Sequence, residues 1–204
     1  MMLIVGAGVA GLSCAIAAAR AGGEATLVTP GVLRPSADAG LAALAGGNTA
    51  MAQGGIAAAV GDDDTAADHA ADTVAAGAGL VDPRAAHVLT AEGAEAMRAM
   101  LAGGFPADRD ASGRLSLGLE AAHRRARIVH AGEDRTGAAL HAFLAREALE
   151  FVRRGLIRLT ERTALDSLLT DLGAVSGAVL RDAAGHLVTV RAGAVVLATG
   201  GYAA

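Results

Sequence analysis

The sequence contains no lysine, because all 17 basic residues among its 204 are arginine. A Walker A phosphate loop and a pyridoxal phosphate Schiff base each need a lysine, so both chemistries are excluded. Aromatic residues make up only 2% of the chain, and none is tryptophan. A planar ligand must therefore be held mostly by backbone and aliphatic groups. The net charge of −4 gives no basic surface of the kind that nucleic acid or an anionic membrane requires.

Cysteine is nearly absent as well. The single Cys14 allows no internal disulfide, and its apolar helical surroundings are typical of a small buried residue rather than a reactive thiol. Residues 1–19 carry no charge, but they lack the basic start of a signal peptide, and Gly6, Gly8 and Gly11 interrupt them. We therefore expect a soluble, cytoplasmic chain of one domain, without a membrane-spanning segment and without a nucleic-acid partner.

The opening segment, MMLIVGAGVAGLSCAIAAARAGGEATLVT, predicts a β-α-β unit. A short apolar strand comes first, followed by a glycine turn and by a helix from about residue 9 to residue 21. A second strand is predicted near residues 25–29. This order is typical of the first half of a dinucleotide-binding sheet.

The glycines of this segment form the spacing G-x-G-x-x-G between the strand and the helix. Gly6 permits a tight turn, Gly8 lets a pyrophosphate approach the backbone, and Gly11 lets helix and strand pack closely. The helix N-terminus offers unpaired N–H groups to the phosphates. The pattern predicts dinucleotide binding, and by itself it leaves FAD and a nicotinamide cofactor both open. The acidic residue that often binds the ribose is missing, since Thr29 stands at the end of the second strand.

Helices are predicted after an irregular, glycine-rich stretch, residues 30–55. The segment GDDDTAADHAADTVAAGAGL begins with acids suited to a helix N-terminus. In the next segment Asp82 is the predicted cap, Pro83 the first helical residue and Gly103 the stop. A polar hairpin-like region follows at residues 108–119, and another helix is predicted at about residues 136–154.

The pattern changes to a period of two after Gly155. The segments LIRLTERTALDSLL, AVSGAVLRD and HLVTVRA are separated by turn residues, which predicts a β-meander. The last segment, AVVLATGG, is apolar on both faces, as expected of a strand buried inside a parallel sheet. The predicted fold class is therefore α/β, with a parallel sheet and a β-meander.

Several longer motifs carry a family resemblance. AQGGIAAAV, DTVAAGAGLVD, LEAAHRRARIVHAGEDRTG and ERTALDSLL, together with the meander and the ATGG strand, resemble the flavoproteins of the succinate dehydrogenase, fumarate reductase and L-aspartate oxidase family. The likeness is greatest to the L-aspartate oxidase branch and covers essentially the whole chain. It implies a Rossmann-like FAD-binding domain that is incomplete, because the capping and C-terminal helical domains of the family are absent.

The resemblance also divides the chain. It implies one FAD-binding domain over residues 1–204, in its N-terminal part. The segments are the Rossmann unit at 1–29, the flavin-contacting loop at 30–60, a helical segment at 62–104, the active-site segment at 113–137, and the β-meander with its return strand at 156–200.

Asn48 is the informative position of the flavin-contacting loop. In the family a segment of the form H-T-x-A-x-Q-G-G lies against the flavin, and its histidine is covalently attached to FAD in the dehydrogenases. Here Asn48 takes that place, so the resemblance implies non-covalent FAD. The implied cofactor-binding residues are Gly6, Ala7, Gly8, Val9, Ala10, Gly11, Thr29, Pro30, Asn48, Thr49, Ala50, Met51, Ala52, Gln53, Gly54, Gly55, Ala164, Thr199 and Gly200.

By the same resemblance, Glu120 and His123 are the candidate catalytic residues, and Glu120 and Arg127 are the candidate substrate-binding residues. A carboxylate near the substrate would attract the ammonium of an amino acid, which succinate lacks. The arginines around His123 suit a dicarboxylate, but such a cluster is also typical of a solvated face or of a clamp on the flavin phosphates. Asp68, His69 and Asp72 are interpreted as a water-facing helical stripe rather than as metal ligands, so no metal is predicted.

The implied function is FAD-dependent oxidation of L-aspartate to iminoaspartate, with oxygen or fumarate as the acceptor, as the first step of quinolinate and NAD synthesis. A quinolinate-synthesising enzyme is a possible partner. The alternatives are a succinate- or fumarate-type oxidoreductase, and a non-catalytic FAD-binding fragment. The chain by itself is expected to be inactive, because the family's main carboxylate-binding residues lie in the part that is absent.

Overall fold

The computed structural model describes residues 1–36 and 47–201. The chain forms two compact units: the first comprises Met1–Ala52 and Leu140–Ala204, and the second comprises Gln53–Ala139. Residues 47–51 are helical. The other elements are β1 (Met2–Val5), α1 (Val9–Arg20), β2 (Ala25–Val28), β3 (Ile56–Ala57), α2 (Ala66–Ala76), α3 (Pro83–Ala102), β4 (Leu117–Gly118), β5 (Ile128–Val129), α4 (Thr136–Arg153), β6 (Ile157–Thr160), β7 (Thr163–Asp171), β8 (Ala174–Asp182), β9 (Leu187–Arg191) and β10 (Ala194–Leu197).

A parallel sheet of four strands, in the order β10-β1-β2-β6, is the centre of the first unit. Leu3 of β1 lies opposite Val195 on one side and Thr26 on the other. The sequence predicts the β-α-β unit correctly, since α1 and β2 end within one residue of their predicted bounds. Strands β1 and β2 are buried on both faces, which explains their continuous apolar sequence.

Strand β6 corrects the predicted meander. The segment LIRLTERTALDSLL was expected to be one meander strand, but its first part pairs in parallel with β2, with Ile157 opposite Ala25. The chain turns at Arg162, which has a φ of 51°. A backbone in this left-handed region cannot continue a strand, so the alternating pattern is divided between two sheets.

Strand β10 is a second correction. Its apolar sequence predicts a strand buried inside the sheet, yet β10 is an edge strand of the described sheet and pairs with β1 alone. Leu197 is 53% exposed. The prediction of burial is therefore wrong for this strand, although the predicted parallel pairing is confirmed.

The antiparallel sheet β7-β8-β9 packs on the parallel sheet. Leu3, Val5 and Val28 of the parallel sheet form one apolar cluster with Ala178 and Leu180 of β8. Removing a side chain of this size from water contributes about 1.5–3 kcal/mol to stability. The cluster therefore fixes the meander to the sheet.

Helices α1 and α4 are joined by an ion pair between Arg20 and Glu147, at 2.6 Å. Helix α1 buries its Leu12 and Ile16. Cys14 is half-buried, and its thiol lies 3.9 Å from the Met2 sulfur.

The second unit contains α2 and α3, and both begin with a side-chain cap. Thr65 accepts from the Asp68 N–H at 3.0 Å, and Asp82 accepts from the Arg84 N–H at 2.8 Å. The prediction of Asp82 as cap, Pro83 as first residue and Gly103 as the end of α3 is confirmed. Helix α2, in contrast, begins after the run of acids rather than with it.

A small antiparallel sheet, β3-β5-β4, completes the second unit. The Thr90 hydroxyl joins α3 to α2 by donating to the Ala66 carbonyl at 2.9 Å. Within residues 1–36 and 47–201, no helix is both long and apolar enough to cross a membrane.

Candidate functional site

The glycine loop lies at the carboxyl edge of the parallel sheet, where ligands of open α/β sheets bind. Gly6 directly follows β1 and has a φ of +111°, which strongly favours glycine. Its N–H donates to the Val28 carbonyl at 2.8 Å. A Cβ at Gly6 would lie 2.0 Å from the Ala198 carbonyl oxygen, in the segment that follows β10. The loop therefore follows β1 directly and contacts the ends of β2 and β10.

The other two glycines of the G-x-G-x-x-G segment differ in whether their local structure requires a glycine. A Cβ at Gly11 would lie 1.8 Å from the Gly6 carbonyl oxygen, so only glycine allows α1 to start this close to the loop. Gly8 is the N-cap of α1 and has a φ of −78°, a value that any residue adopts. Its own backbone conformation therefore does not require glycine.

Two further segments meet this loop in the first unit. The Thr49 hydroxyl accepts from the Val9 N–H at 3.0 Å, in the first turn of α1. The Asn48 amide donates to the Gly201 carbonyl at 3.1 Å. The fold thus brings together predicted cofactor residues from three segments that are far apart in the sequence: Gly6, Ala7, Gly8, Val9, Ala10, Gly11, Asn48, Thr49, Thr199 and Gly200.

Three more predicted cofactor residues lie near the end of β2. Thr29 is buried, and its hydroxyl accepts from the Gly31 N–H at 3.3 Å. The Thr29 carbonyl accepts from the Thr163 N–H at 3.0 Å, which places Ala164 next to this contact. Pro30 and Ala164 are exposed. The end of β2 therefore offers backbone and small side chains, without a carboxylate.

Ala50 is buried and Met51 and Ala52 are exposed in the first unit, whereas Gln53, Gly54 and Gly55 belong to the second. Gln53 and Gly54 are exposed. Gly55 has a φ of +88°, and a Cβ there would lie 2.5 Å from the Ile128 side chain. Packing against β5 thus accounts for Gly55.

A buried ion cluster holds the arginine-rich segment of the second unit. Arg127 is fully buried, and its guanidinium donates to both carboxylate oxygens of Asp64, each at 2.8 Å. It also donates to Asp72 at 2.9 Å. Such a two-pronged arginine–carboxylate contact is strong and directional. Arg127 is thus surrounded by protein acceptors.

His123 lies against this cluster. Its Nδ1 is 3.2 Å from the Arg127 guanidinium. An arginine can only donate, so Nδ1 accepts and the neutral His123 carries its proton on Nε2. The His69 ring meets the His123 ring edge-on, with 5.5 Å between their centres. Asp72 fixes the start of the segment by accepting from the Arg124 N–H at 3.0 Å and by pairing with the Arg124 side chain.

The charges in this cluster shift the pKa values of its members. The Arg124 N–H, and after it the side chains of Arg124 and Arg127, lower the pKa of Asp72 to about 2. Burial, and then the charge of Arg127, lowers the pKa of His69. At neutral pH, Asp72 is therefore ionised and His69 is neutral.

The family of the chain follows from comparison with known proteins. Residues 2–204 match the family model described as FAD binding domain. The chain belongs to this FAD binding domain family. The predicted cofactor, FAD, is thereby confirmed.

Relatives of this FAD binding domain agree with the predicted branch. The chain is 44% identical to L-aspartate oxidase of Caulobacter vibrioides, over 98% of the chain and 37% of that protein. It is 40% identical to L-aspartate oxidase of Streptomyces coelicolor, over 98% of the chain and 33% of that protein. The chain thus spans about a third of the length of these relatives.

Solved structures agree with the predicted fold class. A chain of the Mycobacterium smegmatis Sdh1 complex in the apo form superposes with a TM-score of 0.84 at 29% identity, over 98% of this chain and 34% of the matched chain. FrdA of E. coli quinol fumarate reductase superposes with a TM-score of 0.84 at 31% identity, over 98% of this chain and 32% of the FrdA chain. The α/β fold of the FAD-binding domain and the family resemblance are confirmed.

The helical stripe of this FAD binding domain was predicted wrongly. His69 and Asp72 were interpreted as facing water, but they are 8% and 4% exposed. Their spacing places them on one face of α2, and the sequence alone does not say which face is covered. In the described part of the chain, no group of three or more histidine, cysteine or acidic residues is arranged to hold a metal ion.

The predicted substrate residues lie in two different settings. Glu120 is exposed, and its carbonyl accepts from the His123 N–H at 3.2 Å. Arg127 is fully buried in the ion cluster. A direct contact of either residue with a substrate stays a prediction, and the geometry of Arg127 favours a role in positioning His123.

Two buried polar residues, Asp64 in the second unit and His141 in the first, were missed at the sequence level, and Asp72 was predicted to face water. Asp64 and Asp72 hold Arg127, and His141 is fully buried and lies 3.1 Å from the Ala7 carbonyl. A histidine within the apolar face of a predicted helix is a usable signal for burial. Asp64 gave no such signal, because it belongs to a run of acids that resembles an ordinary solvated helix start.

Acidification is expected to destabilise this FAD binding domain through its buried histidines. The pKa of His69 and of His141 is lowered from 6.5 by burial, so below pH 6.5 the unfolded chain binds more protons than the folded one. The free energy of unfolding therefore keeps the full contribution of these neutral histidines above pH 6.5. This contribution is lost as the pH falls from 6.5 through the lowered pKa values of His69 and His141. Asp72 adds a further loss as the pH falls from 3.8 to about 2.

Thermal unfolding followed by circular dichroism between about pH 7.5 and about pH 5.5 checks this expectation. The midpoint should fall with pH, and His69→Gln should reduce the fall. His87→Gln changes an exposed histidine and serves as the comparison. A midpoint that stays constant over this range would contradict the expectation.

Proposed function

We propose that the glycine loop of the first unit binds the pyrophosphate of FAD. The loop lies at the carboxyl edge of the sheet, between β1 and the neighbouring β10, where the strand order reverses. The glycine at position 8 supports this role because its own φ of −78° does not require it. A bare backbone there would let a phosphate approach the first turn of α1.

We propose that Asn48 and Thr49 lie beside the bound flavin and that FAD is held without a covalent bond. Both side chains are fixed within the first unit, Asn48 to the Gly201 carbonyl and Thr49 to the Val9 N–H. An asparagine amide is a poor nucleophile and offers no ring nitrogen to tether a flavin. The residues of the described loop therefore fit a dissociable FAD.

We infer that the whole protein containing this chain is an L-aspartate oxidase. The observation that carries this proposal is the match to proteins of that name over 98% of the chain, at 44% and 40% identity. FAD, when bound, would accept the hydride from Cα of L-aspartate, giving iminoaspartate, and would pass the electrons to oxygen or fumarate. The product would enter quinolinate and NAD synthesis in the cytoplasm, with a quinolinate-forming enzyme as the next partner.

The part played by this chain's residues is to bind and orient. Exposed Glu120 would bind the substrate ammonium through charge-assisted hydrogen bonds. His123 has its Nδ1 engaged by Arg127, so its Nε2–H is directed away from the buried ion cluster. We propose that this N–H donates to a substrate carboxylate and that Arg127, being fully buried, holds His123 in place. The chain alone is expected to be inactive, since it spans a third of its relatives.

Glu120→Gln in the complete protein tests the substrate assignment. We expect kcat/KM for L-aspartate to fall by about ten- to a hundredfold, because the ammonium loses its charged partner. Flavin bleaching by aspartate and by succinate is measured on the same preparation. Wild-type flavin that is bleached by succinate and not by aspartate would overturn the oxidase assignment in favour of a succinate-type enzyme.

Glu133→Gln is the comparison variant for this experiment. Glu133 is also an exposed acid in the second unit, and its backbone N–H is fixed by Asp108 at 3.1 Å. It should leave kcat/KM within about twofold of the wild type. An equal loss in both variants would show that Glu120 has no special role with the substrate.

A further inference from the structure

His141 makes a contact with the glycine loop that the proposed function does not use. It lies in α4, within the first unit, and it is fully buried. Its Nε2 is 3.1 Å from the carbonyl oxygen of Ala7, the residue between the first two glycines of the G-x-G-x-x-G segment. Among residues 1–36 and 47–201, no group forms a hydrogen bond with the other ring nitrogen, Nδ1.

The chemistry of the two groups decides which atom donates. A carbonyl oxygen can only accept, so the proton of the neutral ring must lie on Nε2. If the proton lay on Nδ1, two lone pairs would face each other at 3.1 Å. The tautomer is therefore Nε2–H, and the unpartnered Nδ1 is the bare acceptor nitrogen.

The contact orients the peptide that joins Ala7 to Gly8. A trans peptide is planar, and its C=O and N–H point in opposite directions. Because the Ala7 carbonyl is turned toward the buried His141, the Gly8 N–H must point to the opposite side, away from this ring. This N–H belongs to the N-cap of α1, where the helix presents its positive end.

We propose that His141 is a positioning residue for FAD, which holds the Ala7–Gly8 peptide so that the Gly8 N–H faces the pyrophosphate. The ring itself does not touch the cofactor. This proposal rests on the FAD site proposed above for the glycine loop. The proposal explains why a histidine is buried here, although only one of its two ring nitrogens has a hydrogen-bond partner among the described residues.

Helix α4 contacts α1 as well as the glycine loop. Helix α4 is also tied to the last turn of α1 by the Glu147–Arg20 ion pair at 2.6 Å. Helix α1 is thus held by α4 at its last turn and, through the preceding loop, at its start. A peptide held from a packed helix keeps its orientation before the ligand arrives, which lowers the entropy lost on binding.

Two substitutions separate the hydrogen bond from simple packing. His141→Gln can place an amide N–H close to the Nε2 position, whereas His141→Met fills similar space without a donor. In a fluorescence titration of the complete protein with FAD, we expect His141→Met to weaken binding by about five- to tenfold. His141→Gln should stay within about threefold of the wild type.

Leu144→Ala is the comparison for lost packing, since Leu144 is buried one turn further along α4. It should lower the unfolding midpoint without changing FAD affinity at a temperature where the variant is folded. Equal FAD affinity of His141→Met and the wild type would overturn the proposal. So would an equal loss in His141→Gln and His141→Met.

A second measurement tests the His141 contact with the glycine loop without FAD. Long-range ¹H–¹⁵N correlation spectra of the histidine-labelled chain should show the His141 proton on Nε2, and a proton on Nδ1 would overturn the proposal. In His141→Met, the Gly8 amide signal should shift or broaden, and an unchanged signal would likewise contradict it. If the wild-type chain shows the expected tautomer but the complete wild-type protein does not bind FAD, the proposed FAD site fails while the histidine contact stands.

Discussion

Replacing Arg127 with methionine is expected to lower the free energy of unfolding by about 3–5 kcal/mol. The substitution leaves the carboxylates of Asp64 and Asp72 in place, at 0% and 4% side-chain exposure, without the guanidinium that compensates them. Removing one partner from a buried ion cluster costs more than the cluster contributes, because an unpaired charge stays away from water. Urea unfolding followed by circular dichroism measures the effect.

Arg125→Met is the control for this result. Arg125 pairs with Asp63 at 3.3 Å, but both side chains are at least half exposed. Its loss should change the free energy of unfolding by less than about 1 kcal/mol. Adding Asp64→Asn to Arg127→Met should recover part of the stability, since one uncompensated charge is removed. An Arg127→Met protein as stable as Arg125→Met would contradict the buried cluster.

Gly11→Ala is expected to destabilise the first unit by about 2 kcal/mol or more and to weaken FAD binding at least about tenfold. The added Cβ would lie 1.8 Å from the Gly6 carbonyl oxygen and 2.9 Å from its carbon. Both contacts are with backbone, so the strain can be relieved only by moving the loop or the start of α1. The measurements are urea unfolding and a fluorescence titration with FAD.

Gly93→Ala provides the comparison. Gly93 lies inside α3, and an added Cβ there meets no atom within 4 Å. Alanine in a helix is favoured over glycine, so this variant should be more stable by about 0.5–1 kcal/mol. If both alanine variants changed stability by similar small amounts, close packing at Gly11 would be refuted.

Features with local causes could be predicted from the sequence. The start of α3 follows from Asp82 and Pro83, which act on the backbone within the next three residues. The turn after β1 follows from Gly6 because its φ of +111° is open to glycine. The β-α-β unit could therefore be predicted to within a residue.

The ion cluster could not be predicted in this way. Arg127 pairs with Asp64 and Asp72, which lie 63 and 55 residues earlier in the chain. Within the sequence, an arginine-rich segment looks the same whether its members are solvated or buried. Only the packing of the second unit removes Arg127 from water and leaves Arg124 and Arg125 exposed.

The sequence pattern also could not predict to which sheet strand β6 belongs. Residues Ile157–Thr160 alternate in the same way as β7, and nothing local assigns them to the parallel sheet. Their place depends on pairing with β2, more than a hundred residues earlier. Long-range pairing of this kind is the part of a fold that local propensity describes least.

The contact between Gly6 and Ala198 has a consequence for the order of biosynthesis. The first strand and its glycine loop leave the ribosome before β10 and the Ala198 segment, which follow more than 180 residues later. At a synthesis rate of about 5–20 residues per second, this interval lasts on the order of ten seconds or more. Until then the loop lacks its contact with Ala198, so this side of the proposed cofactor site is completed only after β10 has been synthesised.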